Sequence, residues 1–206
     1  MKKILLIIII IFLTGCYNYT EINDLAFISS IGIDYNKTNE RFIVTYEILN
    51  DNSTGEGKIN KSYTISAEGK NITDAFNNTS LKVNNKPYFY HLKIIAIDET
   101  VAKKYTKDIV DYILRNPNVK NEFFLILIKN AKAKDILDKS DEVDPDIGNK
   151  IFKMIKSNEE QNNISIDQNF EATTKFFTSK LSNALINTFT INDKDEIIEL
   201  GLSAFK

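Results

Sequence analysis

Two short runs leave few places in a fold where they can go. Ile94-Ile95-Ala96-Ile97 and Phe123-Phe124-Leu125-Ile126-Leu127-Ile128 carry no polar side chain. Successive residues of a strand point to opposite faces of a sheet, so a strand with one wet face alternates. A strand without alternation needs cover on both faces. The runs are therefore read as buried strands, within 88–97 and 122–129, and the first takes a central place in a sheet.

Around them the pattern moves between the periods of strand and helix. In 24–35, Ile31, Ile33 and Tyr35 share one face, and Asn36-Lys37-Thr38-Asn39 turns the chain. Phe42, Val44, Tyr46 and Ile48 then point inward from 41–49, which completes a β-hairpin. Residues 50–61 are polar, carry Gly55 and Gly57, and read as a mobile loop. A third strand follows at 62–67, then a helix at 72–83 with Ile72, Ala75, Phe76, Thr79 and Val83 on one side. A second helix is expected over 99–115, stopped by Asn116-Pro117-Asn118. Short helices at 131–137 and 147–156 come next, the latter with Asp144 as N-cap and Pro145 at its first position. Residues 158–163 are polar and read as mobile, 170–189 as the longest amphipathic helix, and 196–205 as a strand. The expected fold is α+β, a mixed and mainly antiparallel sheet with helices packed mostly on one face.

The chain of 206 residues is long enough for one well-buried domain. Its 26 basic residues face 28 acids, a net charge of −2, so there is no basic excess to grip nucleic-acid phosphates. One cysteine excludes an intrachain disulfide, and one histidine leaves too little for a His/Cys metal cluster.

That cysteine stands at the end of the leading segment. Lys2 and Lys3 precede an apolar run, Ile4 to Leu13, that is too short to span a bilayer, which needs about 20 residues. Run and flank match a signal-peptide core. It ends in Leu13-Thr14-Gly15-Cys16, which resembles the bacterial lipobox. Cleavage before Cys16 requires small residues, and the Cys16 sulfur would carry a diacylglycerol thioether. Two acyl chains turn marginal membrane affinity into stable anchoring. The expected division is a signal peptide at 1–15, a lipidated tether at 16–23 and a globular body from 24.

No catalytic motif emerges. His91, in Tyr88-Phe89-Tyr90-His91-Leu92-Lys93, has no oriented partner in the sequence and reads as structural. Asp141, Glu142, Asp144 and Asp146 lack the spacing of a calcium-binding loop. Tyr88, Phe89 and Tyr90, and the stripe of 170–189, read as packing residues. The chain is expected to be no enzyme and to need no cofactor.

Three stretches, in order, resemble the N-terminal region of the Ger(x)C family, the C-subunit lipoproteins of spore germinant receptors. Gly15-Cys16-Tyr17, Glu21-Ile22-Asn23-Asp24-Leu25-Ala26 and Ile31-Gly32-Ile33-Asp34 look like its opening. Glu68-Gly69-Lys70-Asn71-Ile72-Thr73-Asp74-Ala75 and His91-Leu92-Lys93 look like its helix and H-L-K strand. Leu114-Arg115-Asn116-Pro117 and Ala131-Lys132-Ala133-Lys134-Asp135-Ile136-Leu137 look like a third pair of motifs. Tyr17 stands where the family often has tryptophan. The resemblance implies a lipoprotein held through Cys16 on the outer face of the spore inner membrane. It implies work with integral membrane A and B subunits in the response to nutrients, with no enzymatic chemistry. It also implies that 24–195 form the first domain. Gly201-Leu202-Ser203-Ala204-Phe205-Lys206 resembles the opening strand of the second, so 196–206 would begin an incomplete second domain. The alternative reading is a free-standing lipid-anchored ligand-binding protein.

Overall fold

The computed structural model describes residues 21–50, 62–140, 143–162, 164–178 and 184–205. The signal segment, Cys16, most of the tether and nearly all of the loop at 50–61 lie outside the described residues. After a 3-10 turn at Ile22–Asp24 come strands β1 (Leu25–Asn36), β2 (Arg41–Ile48) and β3 (Tyr63–Gly69), then helix α1 (Ile72–Lys82). Strands β4 (Lys86–Tyr88) and β5 (Ile94–Asp98) precede helices α2 (Glu99–Lys104) and α3 (Thr106–Arg115). Strand β6 (Phe124–Ile128) is followed by α4 (Ala133–Leu137), α5 (Ile147–Asn162) and α6 (Phe170–Thr178), and the chain returns as β7 (Ala184–Ile191) and β8 (Ile197–Phe205).

One mixed sheet results, in the order β3-β2-β1-β5-β6-β7-β8, with β4 beside the start of β1. The pairs β1–β2, β2–β3 and β7–β8 are antiparallel and have the long ladders. The pairs β1–β4, β1–β5, β5–β6 and β6–β7 are parallel and shorter. Strands β1, β5, β6 and β7 thus begin at one end of the sheet, which we call the entry end. The segment read as opening a second domain, 196–206, supplies β8, which pairs with β7 along its length.

Both apolar runs have the double cover their composition demands. Ile95, Ile97, Leu125 and Leu127 join one core with α1, α2, α3 and Phe170 of α6. Ile94, Ala96, Phe124, Ile126 and Ile128 join the other, under α4 and α5. Of the six α-helices among the described residues, four therefore feed one face and two the other. The helix α5 presents Ile147, Ile151 and Ile155, one turn apart, to the second core.

Several elements differ from expectation. The strand expected over 88–97 is two strands, β4 and β5. The reason is register: Phe27 pairs with Tyr88 and Ser30 with Ile94, so three steps along β1 face six along the other chain. The surplus leaves the ladder as a turn, closed by the Leu92 N–H donating to the Phe89 carbonyl at 3.1 Å. The helix expected over 99–115 breaks at Tyr105, whose φ is −128°. There the Tyr105 ring packs at 4.8 Å from Tyr35 and 4.9 Å from Phe42.

The helix expected over 170–189 ends at Thr178, and 184–191 is a strand. Its apolar spacing suits a helix, but Ile186, Thr188, Thr190 and Ile191 are β-branched and favour a pleated surface. The polar segment expected to be mobile continues α5 to Asn162, with the Asn158 amide donating to Glu199 at 2.7 Å. The cap of α5 is Asp146 and not Asp144, since Asp146 accepts the Asn149 N–H at 2.9 Å. Pro145 consequently lies before the helix, and its carbonyl accepts the Ser62 N–H.

Candidate functional site

On the hairpin β1–β2, the face opposite the apolar stripe carries Ser30, Asp34 and Glu47, and all three are buried. Burying a carboxylate costs several kcal/mol unless its oxygens are satisfied. Here two helix N-termini satisfy them. The N–H groups of a helix's first turn have no partner inside the helix and attract negative charge.

Glu47 meets the start of α5. It accepts the Ile147 N–H at 2.7 Å and the Gly148 N–H at 3.0 Å. The Ser62 hydroxyl donates to it at 2.6 Å, and the Ser30 hydroxyl donates to its other oxygen. The neighbouring Ser29 hydroxyl donates to the cap residue Asp146. The helix comes so close that a side chain on Gly148 would put its Cβ 2.7 Å from Ser29 Oγ and 2.9 Å from Ser30 Oγ. Burial pushes the Glu47 carboxyl above the ordinary glutamate range, against the hydroxyl and N–H donors that lower it.

Asp34 meets the start of α4. Its two oxygens accept the Ala133 N–H at 2.8 Å and the Lys134 N–H at 3.0 Å. Burial raises its carboxyl to about 6 although both N–H groups and Lys132 act the other way. Two positions earlier, Gly32 leaves room for α4 itself. A Cβ there would stand 3.2 Å from Leu137 Cδ1 and 3.3 Å from Ala133 Cβ. Next door, Asp98 caps α2 by accepting the Val101 N–H at 2.8 Å and also accepts the Lys132 ammonium. A cleft beside Asp34 is lined by Tyr35, Thr100, Lys132 and Lys134.

His91 is exposed in the turn before β5 rather than at the start of the strand. Its ring lies 5.5 Å from Phe27 and 6.1 Å from Tyr88, and Tyr88 stacks on Tyr90 at 4.9 Å. Asp144 binds Lys150 and Asp146 caps α5, so neither acid is spare, while 141 and 142 lie outside the described residues. Among the described residues no three His, Cys, Asp or Glu side chains gather where a metal ion could be held.

Sequence reasoning overlooked Glu47. Its only signal was an acid on a strand of alternating apolar residues, and the helix that covers it lies about a hundred positions away. Asp34 entered only inside the Gly32-Ile33-Asp34 motif. The structure explains that motif by bringing it against Ala133 to Leu137 of the third motif pair.

The sequence model of the family described as "Spore germination protein N-terminal domain" matches residues 18–191. The chain belongs to that family. This germination domain is 30% identical to spore germination protein KC of Bacillus subtilis (strain 168), over 77% of this chain and 40% of the relative. It is 28% identical to spore germination protein A3 of the same organism, over 71% of this chain and 39% of the relative. Spore germination protein GerQC of Bacillus cereus aligns with all of it at 24% identity and is covered over 56% of its own length. The germination domain thus spans about two-fifths to just over half of these relatives. No solved structure matches it.

Proposed function

We propose that the chain acts in spore germination as the lipid-anchored C subunit of a nutrient germinant receptor. It would be an interaction protein held through Cys16 on the outer face of the spore inner membrane, beside the integral A and B subunits. The observation that carries this reading is the family match over 18–191, directly behind the lipobox-like Leu13-Thr14-Gly15-Cys16. The buried acids support a role without catalysis. Both oxygens of Asp34 and of Glu47 are taken up in holding helices, which leaves neither poised to move a substrate proton. Affinity purification of the tagged chain from spore membranes tests the reading. Recovery with two polytopic membrane proteins is expected, together with a nutrient-germination defect on deletion. Recovery alone, with germination intact, would favour the free-standing ligand-binding alternative.

A further inference from the structure

The two ends of the sheet differ in what they show to solvent. At the entry end, Ile22 is 67% exposed, Tyr63 48%, Leu81 83%, Tyr90 50% and Leu114 49%. Leu81 and Leu114 belong to this end because α1 and α3 finish there, before β4 and β6 begin. At the opposite end the turns 36–41, 69–71, 129–132 and 192–196 carry none of the large exposed apolar side chains. The aromatic part of the entry end is ordered: Tyr88 and Tyr90 are stacked, and Lys120 Nζ lies 4.7 Å above the Tyr90 ring.

The anchor reaches the fold at that same end. Five peptide steps separate Cys16 from Glu21, a reach of at most about 18 Å. Strand β1 then leads away from the entry end for 12 residues, about 36–40 Å. On the lipid-anchor reading, on which this inference rests, we propose that the domain stands on the bilayer by its entry end. Tyr90, Tyr88 and Ile22 then sit at the headgroup boundary, where tyrosine rings are favoured because one edge is apolar and the hydroxyl stays wet. Lys120 reaches outward over its ring, with its stem on apolar surface and its ammonium among phosphates. Exposed Glu21, Asp24 and Glu122 offset Lys82, Lys86 and Lys120 at this end, and Arg115 is paired with Asp111. The contact is therefore aromatic and apolar, and salt should change it little.

The experiment uses the acylated chain in vesicles of phosphatidylglycerol and phosphatidylethanolamine. Fluorophores are placed at Asn84→Cys near the entry end or at Lys37→Cys at the far end, with Cys16 blocked by its thioether. Spin-labelled headgroups should quench position 84 several-fold more than position 37, equally well at high salt. The added pair Ile22→Ser and Tyr90→Ser should bring position 84 down towards the level of 37. Equal quenching at both positions in a chain that floats with the vesicles overturns the orientation while leaving the anchor in place. A chain without diacylglycerol on Cys16 by mass spectrometry, and absent from the floated vesicles, overturns both.

Discussion

Asp34 accepts the backbone N–H of Ala133 at 2.8 Å, across 99 positions of sequence. The contact joins the end of a hairpin strand to the first turn of a helix in the second half of the chain. Glu47 does the same for Gly148 at 3.0 Å. Two consecutive helices are thus capped from outside by acids that the hairpin supplies.

The Asp34 carboxyl should make stability depend on pH. Its folded value is raised to about 6 from 3.8, so the folded chain binds this proton more tightly than the unfolded chain. Its contribution is fully present below about pH 3.8 and is lost as the pH rises through about 6. That amounts to about 3 kcal/mol at 1.36 kcal/mol per unit. Glu47 is raised too and should add in the same direction. Asp34→Asn should lower the Tm at pH 4 and flatten its fall between pH 4 and 7. An unchanged slope would mean that Asp34 titrates normally.

Gly148→Ala tests the closeness of α5 to β1. The added methyl would meet Ser29 and Ser30 within 3 Å, partly on backbone. A cost of about 1–3 kcal/mol is expected from overpacking, read as a lower urea midpoint at constant m-value. Glu47→Ala should cost more, because it strands two hydroxyls and two N–H groups in a buried place.

Removing 196–205 deletes β8 with its whole ladder to β7 and takes buried Ile197 out of the second core. A fall in Tm of several degrees is expected in thermal unfolding followed by circular dichroism. A Tm within a degree of the parent would mean that the strand adds little to the stability of the domain.

Cys16→Ala should abolish incorporation of labelled fatty acid and delay removal of the leader, both visible on a gel of metabolically labelled cells. Full labelling of the variant would end the lipid-anchor reading.

Local pattern was enough to read the hairpin, α1 and the two buried strands, because their signals lie within a few residues. The periodicity of Phe42, Val44, Tyr46 and Ile48 marks one face whatever lies above it. What covers the other face is not local. Thr45 and Glu47 occupy positions that normally face water, and only the fold brings α4 and α5 over that side. The break at Tyr105 was hidden for a related reason: the apolar stripe of 99–115 continues through it, and the rings of Tyr35 and Phe42 that accommodate it come from the hairpin. Residues 184–191 misled because apolar and threonine residues there satisfy both periods, and length favoured a helix. The reading of Cys16 rests on sequence chemistry alone, because the residue lies outside the described residues.

The position of β1 has a mechanical consequence. It is the first strand among the described residues, yet it lies inside the sheet, between β2 on one side and β4 and β5 on the other. A pull on the leading segment therefore loads hydrogen-bond ladders lengthwise on both flanks at once. Bonds loaded in shear share the force, whereas an edge strand would peel away one bond at a time. On the lipid-anchor reading proposed above, a domain held in this way would move as a block with its anchor, and displacement at one end would be handed on to the other rather than spent on unravelling.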